Sequence, residues 1–182
     1  MSLHFVTGNK NKLREAEKII GISLVSSDFN LIEIQDRDVK KIAEHKVREA
    51  WGMAHEPVFV WDQAVYMDCL NGFPGPLIKW FWEQVTLEKM CQIANYFDNH
   101  AITTETALAY FDGKEIKTFT ARREGTMPQA PRGDKGWGWD AIFIPAGSAK
   151  TYAEMDEDEM LQHRTHRVTL EKLRDYLKAI TL

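Results

Sequence analysis

The chain has 182 residues, 44% hydrophobic and 27% charged, the make-up of a globular protein long enough to bury a core. Its net charge of −4 argues against broad, sequence-independent nucleic-acid binding, which needs a basic surface, so any phosphate-bearing ligand is expected to be small and locally held. Cys69 and Cys91 lack disulfide-scaffold or zinc-ligand spacing, no apolar run approaches the ~20 residues of a membrane span, and no signal-peptide pattern opens the chain, so a cytoplasmic protein without membrane contact is expected.

A β-prone run, Leu3 to Val6, ends in Thr7-Gly8-Asn9, and Lys10 and Lys12 follow as a helical pattern begins with Leu13, Ala16, Ile19 and Ile20 on one face. Strand, tight turn and helix N-terminus together suit a phosphate, because free N–H groups, the helix dipole and a lysine point the same way. Many α/β proteins open on the same pattern without binding anything there. Ser23 to Ser26 can form a second short strand, and Asn30 to Gln35 an irregular or extended segment containing Glu33. Val39, Ile42, Ala43, Val47, Ala50, Trp51 and Ala54 recur at helical spacing, with Asp38 as N-cap and Pro57 closing the helix. Val58 to Trp61 reads as a buried strand ending at Asp62. A carboxylate just past an apolar strand is where open α/β sheets put their ligand chemistry, and it is equally a turn or cap position.

Asn71 to Pro76, with two glycines and two prolines, predicts a defined loop without regular structure. Leu77 to Val85 is aromatic on all sides, which points to burial within the monomer or in a subunit interface. Thr86 is expected to cap a helix running through Leu87, Met90, Ile93, Ala94 and Phe97. From Thr104 the period becomes two: Thr104 to Phe111 and Glu115 to Arg123 predict a hairpin, with Asp112-Gly113 as a type I′ turn. An irregular segment, Pro128 to Gly138, leads into Trp137-Gly138-Trp139-Asp140 and a short strand from Ala141 to Pro145. Asp156 to Glu159 suits a helix start, His163-Arg164-Thr165-His166-Arg167 follows, and Val168, Leu170, Leu173, Leu177 and Ile180 give the last helix its apolar face.

Taken together, these points have the parts of a nucleotide site: lysines for phosphates, Glu33 and Asp62 for a hard divalent cation, aromatic faces for a base, and Asp, His and Arg for the base edge. The chain also resembles the inosine triphosphate pyrophosphatase family, which hydrolyses deaminated purine nucleoside triphosphates (ITP, XTP, dITP) to monophosphate and pyrophosphate. The resemblance is carried by Phe5-Val6-Thr7-Gly8-Asn9 with Lys12, Leu70 to Pro76 followed by Ile78-Lys79-Trp80-Phe81, Ala130-Pro131-Arg132-Gly133, Gly138-Trp139-Asp140, Thr151 to Met155, and Thr165-His166-Arg167. The stretch from Pro74 to Phe81 is closer to the eukaryotic branch.

The resemblance implies an α/β fold with an elongated central mixed sheet flanked by helices, in two lobes with an active-site cleft, spanning residues 1–182 as one domain. It implies that Thr7, Gly8, Asn9 and Lys12 hold phosphates, that Glu33 and Asp62 bind Mg2+, and that Asp62 and Lys12 serve catalysis. Trp137 would stack on the purine, while Gly138, Trp139, Asp140, His166 and Arg167 would line the base pocket. A homodimer is also implied, with the aromatic helix after Pro76 as the expected contact surface.

The sequence departs from the family pattern in places. Trp61-Asp62-Gln63 stands where the family has two acids and a small hydroxyl residue, so a metal-site carboxylate is replaced by an indole. Glu159-Met160-Leu161 lacks the family's lysine, a role Arg164 can take from a different position. The segment from Gln162 to Arg167 is one residue longer than the family spacing and holds two His-Arg pairs. Aligning Thr165-His166-Arg167 with the family's Ser-His-Arg keeps Leu170 and Leu173 in place; the alternative puts His163-Arg164 in the base pocket. An active pyrophosphatase is the first expectation, and a nucleotide-binding homologue impaired by Trp61 the alternative.

Overall fold

The structure, a computed structural model, describes residues 2–181. In chain order its elements are β1 (His4–Val6), α1 (Lys10–Ile20), β2 (Val25–Ser27), α2 (Val39–Ala54), β3 (Val58–Met67), β4 (Pro74–Gly75), α3 (Ile78–Val85), α4 (Leu87–Tyr96), β5 (Ala101–Phe111), β6 (Ile116–Thr126), β7 (Ile144–Pro145), α5 (Glu157–His163) and α6 (Thr165–Thr181). The sheet order is β2-β1-β3-β5-β6-β7, with β4 paired to β3. It is a mixed sheet flanked by helices: β1 pairs parallel with β2 and β3, while β3–β4 and β6–β7 are antiparallel.

The chain divides into two compact units. Unit 1 comprises Met1–Asp62, Thr106–Ala121 and His166–Leu182. Phe5 and Phe59 stack at 4.6 Å in its core, and Trp61, Ala16, Ile20, Leu170 and Leu173 close around them. Burying each of the large apolar side chains there contributes about 1.5–3 kcal/mol. Since successive strand residues point to opposite faces, Phe59 and Trp61 look toward α1 and α6, while Val58, Val60 and Asp62 look toward α2. The helix α2 buries Val39, Ile42, Ala43, Val47 and Ala50 on that side. Asp38 caps it by accepting from Lys40 N–H at 2.9 Å, and His55, in the left-handed conformation, ends it two residues before Pro57.

Unit 2 comprises Gln63–Glu105 and Arg122–Thr165. Its core gathers Met67, Met90, Ile102, Trp139, Phe143 and Tyr152, with the free thiol of Cys91 buried in it. Burial pushes that thiol up to about 11.

Several boundaries differ from the sequence expectation. The strand β3 does not end at Asp62 but continues to Met67, because Val65 and Tyr66 find partners in Gly75 and Pro74, and those two residues of the expected loop are a short strand. The turn between β5 and β6 is not a two-residue type I′ turn. It is a four-residue loop in which Asp112 Oδ1 accepts from Lys114 and Glu115 N–H, and only Gly113 takes a positive φ. A Cβ on Gly113 would lie 2.7 Å from the Trp51 ring. Thr86 precedes α4 but makes no side-chain cap bond; with φ at 68° its N–H closes α3 on Trp82 O. The expected strand from Ala141 shrinks to Ile144–Pro145, and Asp140 opens a 3-10 turn instead.

Candidate active site

In unit 1 the turn after β1 is tied down by its own polar side chains. Ser26 Oγ donates to Thr7 O at 2.9 Å, Asn9 N–H donates to Thr7 Oγ1 at 3.1 Å, and Lys12 N–H donates to Asn9 Oδ1 at 3.3 Å. Asn9 is therefore the cap of α1, and Thr7 fixes the approach to it. Gly8 lies against Asp28, whose carboxylate would be 3.1 Å from an added Cβ. This presents Thr7, Gly8, Asn9 and Lys12 together at a helix N-terminus, the arrangement that binds anions.

On the α2 face of β3, Lys46 joins the two carboxylates singled out in the sequence: its Nζ donates to Asp62 Oδ1 at 2.7 Å and to Glu33 Oε1 at 2.8 Å. Lys46 was not singled out in the sequence, although the signal was there. It stands three residues after Ala43 and four before Ala50, a cation on the apolar stripe of α2. The other oxygen of Asp62, Oδ2, is enclosed and has no hydrogen-bond partner among the described residues. Burial pushes the Asp62 carboxyl above the usual carboxylate range, and Lys46 pulls it back only in part. Burial works against the Lys46 ammonium, but the two carboxylates outweigh it and hold its pKa above the ordinary lysine value. Among the described residues no group of three or more His, Cys, Asp or Glu stands ready to hold a metal ion. Glu33 and Asp62 offer two hard oxygen donors, which fits Mg2+ when substrate phosphates and water complete the shell.

Trp61 is on the other face. Only 6% exposed, it stacks on His166 at 5.2 Å with a 5° interplanar angle, and Lys12 Nζ lies 5.6 Å from its ring centre. His166 Nε2 lies 3.1 Å from Glu15 Oε2 on α1. The indole therefore takes no oxygen donor from the Glu33–Lys46–Asp62 side.

In unit 2, Arg164 and Asp140 form a buried bidentate pair, with Nη1 to Oδ1 and Nη2 to Oδ2 both at 2.6 Å and exposures of 4% and 2%. The guanidinium lies over Tyr152 at 4.5 Å, Trp139 at 5.9 Å and Trp137 at 6.0 Å. Trp137 N–H donates to Asp140 Oδ2 at 2.8 Å, and the loop reaches that bond through Gly136 (φ 75°), where a Cβ would lie 2.2 Å from the same oxygen. Gly138 (φ 61°) completes the turn. Trp139 is a core residue packed edge-on to Phe143 at 5.6 Å, whereas Trp137 keeps 47% of its surface exposed and can offer a ring face to a base.

This arrangement distinguishes the two His-Arg pairs by their partners. The partner of Asp140 is Arg164, the residue between α5 and α6, not Arg167, which pairs with Glu171 one turn along α6. The extended backbone of Arg164 turns its side chain inward, and Met160 Sδ, at 3.1 Å, packs beside it. His166 belongs to the Trp61 stack of unit 1.

The Ham1 family model matches residues 3–176 of this chain. The inosine triphosphate pyrophosphatase of Kluyveromyces lactis is 36% identical over 183 residues, covering 95% of this chain and 94% of that protein. That of Schizosaccharomyces pombe is 34% identical, covering 98% and 96%. Among solved structures, the Staphylococcus aureus Ham1 protein superposes with a TM-score of 0.86 at 18% identity, covering 98% of this chain and 99% of that one. A HAM1 protein from Coxiella burnetii superposes at 0.85 with 21% identity, covering 98% and 100%. At those identities the structural likeness speaks for the fold.

Proposed function

The chain belongs to the Ham1 family, and on that ground we propose that it is a nucleoside triphosphate pyrophosphatase of nucleotide-pool sanitation, cleaving ITP, dITP and XTP to the monophosphate and pyrophosphate. The observation that carries the catalytic part is the Asp62 carboxylate, part-buried, held by Lys46 through Oδ1, and left with an enclosed, unbonded Oδ2. With its pKa above the usual range, that carboxylate takes a proton from the attacking water. The water oxygen bonds to the α-phosphorus, the bond from α-phosphorus to the bridging oxygen breaks, and pyrophosphate leaves. Thr7, Gly8, Asn9 and Lys12 hold the phosphates at the start of α1. Glu33 and Asp62 are the residues that would hold Mg2+, and the ion would supply charge neutralisation to the triphosphate.

Base recognition falls to unit 2. Trp137 offers its exposed face for stacking, and Arg164, fixed by Asp140, provides N–H donors that suit a 6-keto oxygen and leave a 6-amino group unmatched. The intact set of Glu33, Lys46 and Asp62 speaks against the impaired homologue, since Trp61 lies on the opposite face of β3. The protein works in the cytoplasm as a homodimer that uses the exposed apolar residues Phe73, Leu77 and Trp80 around the start of α3. No helix among the described residues is long and apolar enough to cross a membrane.

Product analysis tests the reaction. In magnesium buffer, ITP is expected to give inosine monophosphate and pyrophosphate, with oxygen from labelled water in the monophosphate. Inosine diphosphate and orthophosphate as products would overturn the reading, and unchanged rates in EDTA would remove the metal.

A further inference from the structure

On the face of β3 opposite Asp62, Trp61, His166 and Glu15 have no part in the proposed chemistry, yet they gather around Lys12, which does. Trp61 stacks flat on His166, His166 Nε2 meets Glu15 on α1, and Lys12, three residues before Glu15 and so on the same side of α1, places its ammonium over the Trp61 ring. The contacts close a ring from α1 to β3 to α6 and back to α1. Trp61 is additionally wedged against Phe5 at 4.6 Å, so its plane is set by the core rather than by its neighbours in the ring.

We propose that Trp61 is a positioning residue for phosphate binding: its indole face, braced by His166, holds the Lys12 ammonium and with it the first turn of α1 in the conformation that receives the triphosphate. A flexible four-carbon side chain loses conformational freedom when it binds a phosphate, and an aromatic platform that holds it beforehand lowers that cost. A ring face attracts the cation without setting a counter-charge beside it, as a carboxylate at position 61 would. The inference rests on the proposed phosphate role of Lys12.

The test is a double-mutant cycle read by affinity for inorganic tripolyphosphate, which has no base, together with KM and kcat for ITP. Lys12→Met is expected to weaken tripolyphosphate binding about tenfold or more, and Trp61→Leu about three- to tenfold, with the loss appearing in KM while kcat changes less than about threefold. In the Lys12→Met background, Trp61→Leu should cost less than twofold, because there is no longer an ammonium to hold. Trp61→Phe, which keeps a weaker ring face, should fall between wild type and Trp61→Leu.

Equal losses from Trp61→Leu with and without Lys12 would overturn the proposal, since the indole would then act only through the fold. If Trp61→Leu does not fold, the same cycle with Trp61→Phe decides, with equal losses in both backgrounds again the overturning result. If Lys12→Met leaves tripolyphosphate affinity intact, the phosphate role of Lys12 fails and takes this inference with it, whereas additive losses refute the inference alone.

Discussion

Removing Arg164 strands a buried carboxylate, and the size of the effect follows from the geometry. Asp140 is 2% exposed and both its oxygens are held by the guanidinium, with Trp137 N–H its other polar contact. Breaking a buried pair by deleting one partner costs about 3–5 kcal/mol, because the survivor keeps its desolvation penalty and loses its compensation. For a chain of this length each kcal/mol lowers the melting temperature by about 2–4 °C, so Arg164→Met is expected to lose about 6–20 °C. Arg164→Met/Asp140→Asn removes the stranded charge while the amide oxygen can still accept from Trp137 N–H, and should recover more than half of that loss. Calorimetry of wild type, both single variants and the double variant measures the coupling. A loss under about 1 kcal/mol for Arg164→Met, or single effects that add in the double variant, would refute the claim that the pair is one buried unit.

Asp62→Asn should lower kcat about 10²–10⁴-fold without unfolding the protein, as expected for loss of a positioned base. Because burial raises the Asp62 pKa, the acid limb of kcat/KM should lie above the ordinary carboxylate range; Lys46→Met removes the pull that lowers it and should move the limb to still higher pH. A limb that stays put or moves down would contradict the Lys46 bridge. Trp137→Ala, at a half-exposed position, should raise KM for ITP about five- to a hundredfold with little change in melting temperature. Light scattering at micromolar concentration should show a dimer, and Trp80→Glu, at a side chain 60% exposed, should shift it toward monomer; a monomeric wild type would remove the interface.

The elements with clear periodicity and end signals were legible in the sequence. The helix α2 forms with the expected N-cap and buried stripe, and Thr7-Gly8-Asn9 makes the expected turn, because capping and amphipathic burial are local physics. What was missed depended on partners distant in sequence. The continuation of β3 past Asp62 needed Pro74 and Gly75 to pair with it, and the strand alternation that separates Trp61 from Asp62 becomes informative only once β3 is known to run through both. Lys46 gains its role only where Glu33 and Asp62, 13 and 16 residues away in sequence, meet on it. That Asp140 pairs with Arg164 and not Arg167 depends on helix phase at the α5–α6 junction, which spacing alone does not set.

The most direct test of the account is the ratio of kcat/KM for ITP to that for ATP, measured side by side in magnesium. Donors held by the Asp140–Arg164 pair should favour the keto base by at least about a hundredfold, the scale at which unmatched polar groups discriminate. A ratio near one, in folded protein that releases pyrophosphate from both, would contradict the proposed base recognition; no turnover of either would contradict the enzyme itself.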